Sequence, residues 1–235
     1  METRFEFLKN CSRVLGWIVF ILPFFVLLGW QIDNITLKIL VIGSAPMNPL
    51  TAILFILSAT SILFSSVSTR KYLSPVVGLI LVTAFYKIVQ FKFDLLFKPD
   101  NFVFSSALAY PMAPAAAVGF VLISLSYVFN TSKRKATVQQ VILLTVLAGG
   151  IFMVTGFILY VPEFHSSIHF FPALQSCILF LLLALSILFS QPEEGVIRLL
   201  IVDLEGSRIG RALIPVTIAI PFVITYSCFL AQRSG

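Results

Sequence analysis

The stretch APMNPLTAILF, residues 45–55, sets two prolines around a Met and an Asn and then runs straight into an apolar segment. Asn48 can accept hydrogen bonds from the first free N–H groups of a helix, and proline at the first helical position loses no bond. The stretch therefore reads as a helix start. It recurs. Pro46-Met47-Asn48-Pro49 becomes Pro111-Met112-Ala113-Pro114 within AYPMAPAAAVGF, residues 109–120, an offset of 65 (114 − 49). The two copies align Met47 with Met112, Pro49 with Pro114, Ala52 with Ala117 and Phe55 with Phe120. A fainter third copy, PALQSCILF at 172–180, sets Pro172 where Met stands, Ser176 against Thr51, Cys177 against Ala52 and Phe180 against Phe55.

The segments between these marks are apolar. The chain has 235 residues, 59% hydrophobic and 11% charged, and its mean hydropathy is +1.03. A soluble domain carries about 25% charged residues, so the composition predicts a chain in a bilayer. Seven spans are expected, near 14–30, 49–66, 74–91, 112–129, 140–161, 169–190 and 212–231. Helices are the default, because a lipid-exposed backbone must satisfy its own hydrogen bonds. Segments such as VILLTVLAGGIFMVTGFILYV lack the polar–apolar alternation of a membrane β-barrel. The expected fold is all-α: one membrane-embedded domain over residues 1–235, built from repeated helical hairpins, with no soluble output domain in this chain. Each even span pairs with the odd span before it, and span 7 should begin a fourth hairpin whose second helix is missing.

Basic residues give the orientation. Arg4, Lys9, Arg13, Arg70, Lys71, Lys133, Arg134, Lys135, Arg198, Arg208 and Arg211 fall on one side, eleven in all, against four (Lys38, Lys92, Lys98, Arg233) on the other. The positive-inside rule then places the N-terminus in the cytoplasm. The basic N-terminus followed by the 14–30 run imitates a signal peptide, but no small-x-small cleavage site follows it, so it reads as a retained span. Residues 31–48 alternate polar and apolar from Asn34 to Lys38 and suggest an interfacial strand or re-entrant piece; 92–111 suggest an amphipathic surface segment. Residues 191–211 read as a short interfacial helix started by Pro192 and stopped near Gly206.

Catalytic chemistry is hard to place. There is no HExxH, no Gly-x-Ser-x-Gly and no Walker motif, and span 7 has no Lys for a retinal Schiff base. No catalytic residue, no cofactor and no nucleic-acid surface is predicted. Lys87, near the outer end of span 3, is expected to snorkel as an interface anchor. Cys11, Cys177 and Cys228 lack metal-ligand spacing and read as small buried residues, not a disulfide framework. One polar set stands out in VPEFHSSIH: Glu163, His165 and His169. The histidines are four apart, on one face if helical, and with Glu163 they could hold a divalent metal or sense pH; polar residues at an outer interface are the alternative. The helix starts at Pro49 and Pro114 lie on one face, where their positive ends could favour an anion; boundary marking by proline is the alternative.

Met47, Pro49, Thr51, Ala52 and Phe55 form a Met-x-Pro-x-Thr-Ala-x-x-Phe pattern. It resembles the N-terminal multi-pass membrane sensory region that precedes PAS domains and a histidine kinase or diguanylate cyclase in many bacterial sensor proteins. A later Pro-x-x-Gly turn, followed by a Gly-Gly-x-x-x-Arg-x-Leu-Leu-Pro stretch, is matched by Pro192, Gly195, Gly206, Arg211, Leu213 and Pro215, with Ser207 replacing the second Gly and Ile214 a Leu. The resemblance covers roughly 14–230. It implies a sensing or anchoring module of a signal-transduction (two-component) protein in the bacterial inner membrane, with the lipid bilayer, a cytoplasmic signalling domain or partner protein, and a homodimer as partners. The alternative is a small transporter or channel subunit, against which stands the absence of Asp, Glu or His in mid-span.

Overall fold

In the computed structural model, residues 2–39, 44–64, 70–93, 110–129, 133–159 and 170–193 are described, together with isolated positions from 195 to 230. The described residues are helical, with no strand. Seven helices are defined: α1 (Glu2–Gln31), α2 (Ile35–Lys38), α3 (Pro49–Leu63), α4 (Arg70–Phe93), α5 (Pro114–Val128), α6 (Lys133–Ile158) and α7 (Leu174–Ser190).

Two kinds of helix alternate. α1, α4 and α6 contain segments of 29, 19 and 23 residues long and apolar enough to cross a membrane, against about 20 needed. α3, α5 and α7 are apolar but only 15, 15 and 17 residues long. The short helices are the buried ones. They form an inner trio, and each long helix lies in the groove between two of them: α1 between α3 and α7, α4 between α3 and α5, α6 between α5 and α7. The ring closes on itself, and the closest pairs are α1 with α3, α4 with α5 and α6 with α7. Each joins an odd-numbered span of the sequence to the even-numbered span that follows it. Three repeats in sequence thus become a pseudo-threefold arrangement in space, closed by three hairpins.

The sequence explains the shortness of the inner helices. The chain reaches each one through extended backbone: φ/ψ is −62/135 at Asn48, −65/139 at Ala113 and −56/146 at Ala173. Proline at the first helical position of α3 and α5 fixes the switch to helix. Asn48 caps α3, its Oδ1 accepting from Leu50 N at 2.8 Å and Thr51 N at 3.2 Å. These extended pieces are covered, with Met47 and Met112 buried. The long outer helices shield these non-helical pieces, the condition under which a bilayer would tolerate them.

The outer helices are apolar on both faces. On α1 the buried positions are Ser12, Gly16, Val19, Pro23, Val26, Gly29 and Trp30, whereas Val14, Trp17, Ile18, Ile21, Phe24, Phe25 and Leu28 face outward at helical spacing. α4 turns Leu79, Val82 and Phe85 outward, and α6 turns Val141, Leu144 and Phe152. A helix apolar all round belongs in a large core or a membrane.

Along the pseudo-threefold axis the aligned phenylalanines meet. Phe55, Phe120 and Phe180 contact one another with ring centroids 4.8, 4.7 and 4.8 Å apart. Gly119 lets this happen, since a Cβ there would lie 2.8 Å from the Phe180 ring. One and a half turns further on, the same offsets align Ser61, Ser126 and Ser186, all buried. Ser61 and Ser126 donate to carbonyls of their own helices. Ser186 instead exchanges two hydrogen bonds with Ser12: each hydroxyl donates to the other's carbonyl at 2.7 Å. That reciprocal pair joins α1 to α7 and closes the ring. Lys9 and Glu193 add an ion pair at 2.7 Å on the same side; both are half-exposed, so it contributes little.

Several expectations change. Residues 35–38 are a single helical turn, not a strand, because Asn34 Oδ1 accepts from Thr36 N and Leu37 N and so starts a helix. α1 begins at Glu2, well ahead of the apolar run. Lys87 does not snorkel; it is 5% exposed and donates to Gln90 Oε1 at 2.7 Å, one turn along α4. Cys11 and Cys177 are free thiols; Cys228, the 94–109 segment and nearly all of 198–219 and span 7 lie outside the described residues. In the Pro-x-x-Gly turn, Gly195 has φ +63, and a Cβ there would collide with the Gln140 side-chain amide, which accepts from Ile197 N at 3.3 Å. Gly195→Ala is expected to destabilise by about 1–3 kcal/mol, read as a lower melting temperature in detergent.

Candidate functional site

The three inner helices start at one end of the bundle, and the space between their starts is a cavity of about 380 Å³. Its floor repeats the threefold pattern. The cap positions Asn48, Ala113 and Ala173 line it, as do Thr51, Ala116 and Ser176 three residues later. One turn deeper, Phe55, Phe120 and Phe180 fill the axis. Apolar walls come from Ile35 and Ile39 around α2, Phe157 near the end of α6, and Phe171 ahead of α7.

Polar ties hold the rim. Asn48 Nδ2 donates to Tyr110 O at 2.7 Å, linking the first copy to the second. Gln175, 2% exposed, donates to Lys38 O at 3.0 Å and Ala45 O at 3.3 Å, linking the third copy to the first. Ser44 Oγ accepts from Leu174 N at 3.1 Å and so caps α7 from outside its own segment. Trp30 Nε1 donates to Met47 O at 2.9 Å, and Met47 N donates to Lys38 O at 3.1 Å. These bonds satisfy the buried backbone of the extended pieces, as buried polar groups require. They also fix the spacing of the three helix starts.

The helix starts differ in what caps them. α3 has Asn48; α5 and α7 have alanine and no side-chain cap from that position. Thr51 is 3% exposed and Ser176 2%. Both side chains line the cavity, and among the described residues neither hydroxyl is hydrogen-bonded to the protein. The described lining contains no carboxylate.

Outside the cavity, Lys38 is buried over the Trp30 ring, 4.4 Å from its centroid, and pairs with exposed Asp33. The hydrogen bond from Lys38, and then its charge, hold the Asp33 carboxyl below its ordinary value. A depressed carboxylate contributes stability above its unfolded pKa of about 3.9 and loses it as pH falls through the folded one, so this pair is intact at neutral pH.

Glu163, His165 and His169 lie outside the described residues. Among the described residues no three His, Cys, Asp or Glu side chains stand together as metal ligands. Of the residues in the Met-x-Pro-x-Thr-Ala-x-x-Phe pattern, Thr51 lines the cavity, Phe55 lies under it, and Met47, Pro49 and Ala52 are buried around it. The walls at Ile35, Ile39, Phe157 and Phe171 and the tie at Gln175 carry no signal in the sequence. The triplet Thr51, Ala116 and Ser176 does carry one: it stands one turn before the phenylalanine column of the repeat. Compared with protein-family profiles, with curated proteins and with solved structures, the chain matches none.

Proposed function

We propose that the chain is the membrane-embedded sensory module of a bacterial signal-transduction protein. It has seven spans and a cytoplasmic N-terminus in the inner membrane, and relays an outer-face signal to a cytoplasmic kinase or cyclase domain. The observation that carries this reading is a cavity closed below by Phe55, Phe120 and Phe180. A transporter or channel needs a path along its axis, and here the axis is filled with rings. A receptor needs a blind pocket whose walls belong to several movable helices. The inner helices that meet at the pocket are the ones that reach the far end, where Ser186 on α7 is locked to Ser12 on α1. A ligand bound unequally by two packings of this trio would change that lock, which is what transmission requires.

The test is direct. The chain is fused in frame to a diguanylate-cyclase domain, and product is measured with Ser12→Ala and Ser186→Ala in place. Loss of the lock is expected to change basal output by about fivefold or more, while solute flux in liposomes stays at the protein-free background. Output indifferent to the lock, or flux above background, would overturn the reading.

A further inference from the structure

We propose that the cavity at the three helix starts binds the carboxylate of a small organic acid, with the acid's apolar body against Ile35, Ile39, Phe157 and Phe171. This rests on the sensory reading above and names the ligand class for its pocket.

Three observations point the same way. Each helix start presents the positive end of its dipole, and Asn48/Thr51, Ala113/Ala116 and Ala173/Ser176 bring three such ends around one cavity; Asn48 caps α3 and Ser44 caps Leu174 N of α7, whereas α5 has no side-chain cap. The three positive ends face one cavity with no carboxylate among the described lining residues to cancel them. Away from water these charges are screened weakly.

The second observation is the pair of buried hydroxyls. Thr51 and Ser176 are 3% and 2% exposed, line the cavity, and have no protein partner among the described residues. Their hydroxyls open onto the cavity, where they can donate to a ligand. Both sit at the third helical position of their helices, on the cavity side. A carboxylate has two oxygens and can accept from both.

The third is the rest of the wall. An inorganic anion would leave the aliphatic and aromatic side of the cavity empty. Ligand pockets of about 300–1,000 Å³ are mostly apolar with a few convergent polar groups, and 380 Å³ with this lining suits an acid of several carbons.

The full chain in phosphatidylcholine nanodiscs is titrated with acetate, butyrate, hexanoate and octanoate, and binding is read by calorimetry and by the shift in melting temperature. Hexanamide, chloride, nitrate and phosphate are the controls. Hexanoate is expected to bind with Kd on the order of 1 mM or tighter and hexanamide not to bind. Thr51→Val and Ser176→Ala are each expected to weaken hexanoate about tenfold, with unliganded melting near that of the parent. Ala116→Ser supplies the third hydroxyl of the pseudo-threefold set and is expected to tighten binding about threefold or more. Equal binding of nitrate or phosphate, unchanged affinity in all three variants, or no carboxylate binding overturns the assignment. So does loss of hexanoate binding in phosphatidylglycerol nanodiscs alone, which would name a lipid phosphate as occupant. Hexanoate binding that leaves the cyclase fusion unresponsive overturns the sensory reading and leaves the site standing; a responsive fusion without carboxylate binding does the reverse.

Discussion

Cutting Phe120 back to alanine is expected to lower the stability of the chain by about 3 kcal/mol. The ring is fully buried and touches both aligned partners, Phe55 at 4.8 Å and Phe180 at 4.8 Å. Each edge-on or tilted contact contributes about 0.5–1.5 kcal/mol beyond area burial, and two are lost at once. In a bilayer the transfer term is weakened, because lipid tails are as apolar as the ring itself. What remains is the hole. The surrounding helices collapse onto it only partly, since Gly119 beside the Phe180 ring has no side chain to move in. Urea or detergent titration of the purified chain reads the loss. The same variant bears on function. With the plug opened, the cavity gains depth along the axis, and a chain that senses stays impermeable because Phe55 and Phe180 still close on each other at 4.7 Å. Potassium leak from liposomes carrying the Phe120→Ala chain would instead favour a pathway through the trio. Phe120→Leu, which keeps most of the volume, is expected to recover at least half of the lost stability; no recovery would mean that the aromatic contacts, not the filled volume, dominate.

How far the sequence reaches is visible in this triad. The offsets of 65 and 60 residues, read from prolines and phenylalanines, place Phe55, Phe120 and Phe180 on equivalent turns of three helices. Equivalent residues of a cyclic repeat must meet near the axis or stand apart on its rim, and large apolar ones meet. The hairpin pairing was legible for the same reason, as each even-numbered span returns beside the odd-numbered one before it. Shortness of the inner helices was not legible. Hydropathy counts Met112 and Pro172 as span residues whatever their backbone does, and only burial by a neighbouring helix permits extended chain there. Lys87 misled in the same way: a charged residue in an apolar run suggests an interface, and Gln90 one turn along supplied a partner inside instead. The cavity was half legible. Its floor falls on the repeat, whereas Ile35 and Ile39 reach it only because Asn34 caps a helical turn in a segment whose alternation resembles a strand.

Asn48 tests whether the floor depends on ties between copies. Asn48→Ala is expected to cost about 3 kcal/mol, in two separable parts. The side-chain oxygen caps α3 through Leu50 N and Thr51 N, and losing a cap of this kind costs about 1 kcal/mol, up to 2. The side-chain nitrogen donates to Tyr110 O at 2.7 Å, and a buried carbonyl left without its donor costs a further 1–3 kcal/mol or so. Asn48→Asp separates the two. The carboxylate keeps both acceptor bonds and suits the positive end of α3, but it cannot donate to Tyr110 O and presents like charge to it. It also puts a negative charge on the cavity floor. Asn48→Asp is therefore expected to retain the helix start and yet abolish hexanoate binding, by more than about a hundredfold at neutral pH. Asn48→Ala, which leaves the N–H groups of α3 uncapped, is expected to weaken binding far less, because a ligand oxygen can take the place of the lost cap. The order matters more than either value. If Asn48→Asp binds hexanoate as well as Asn48→Ala does, the positive ends of the three helices are not what the cavity offers a ligand.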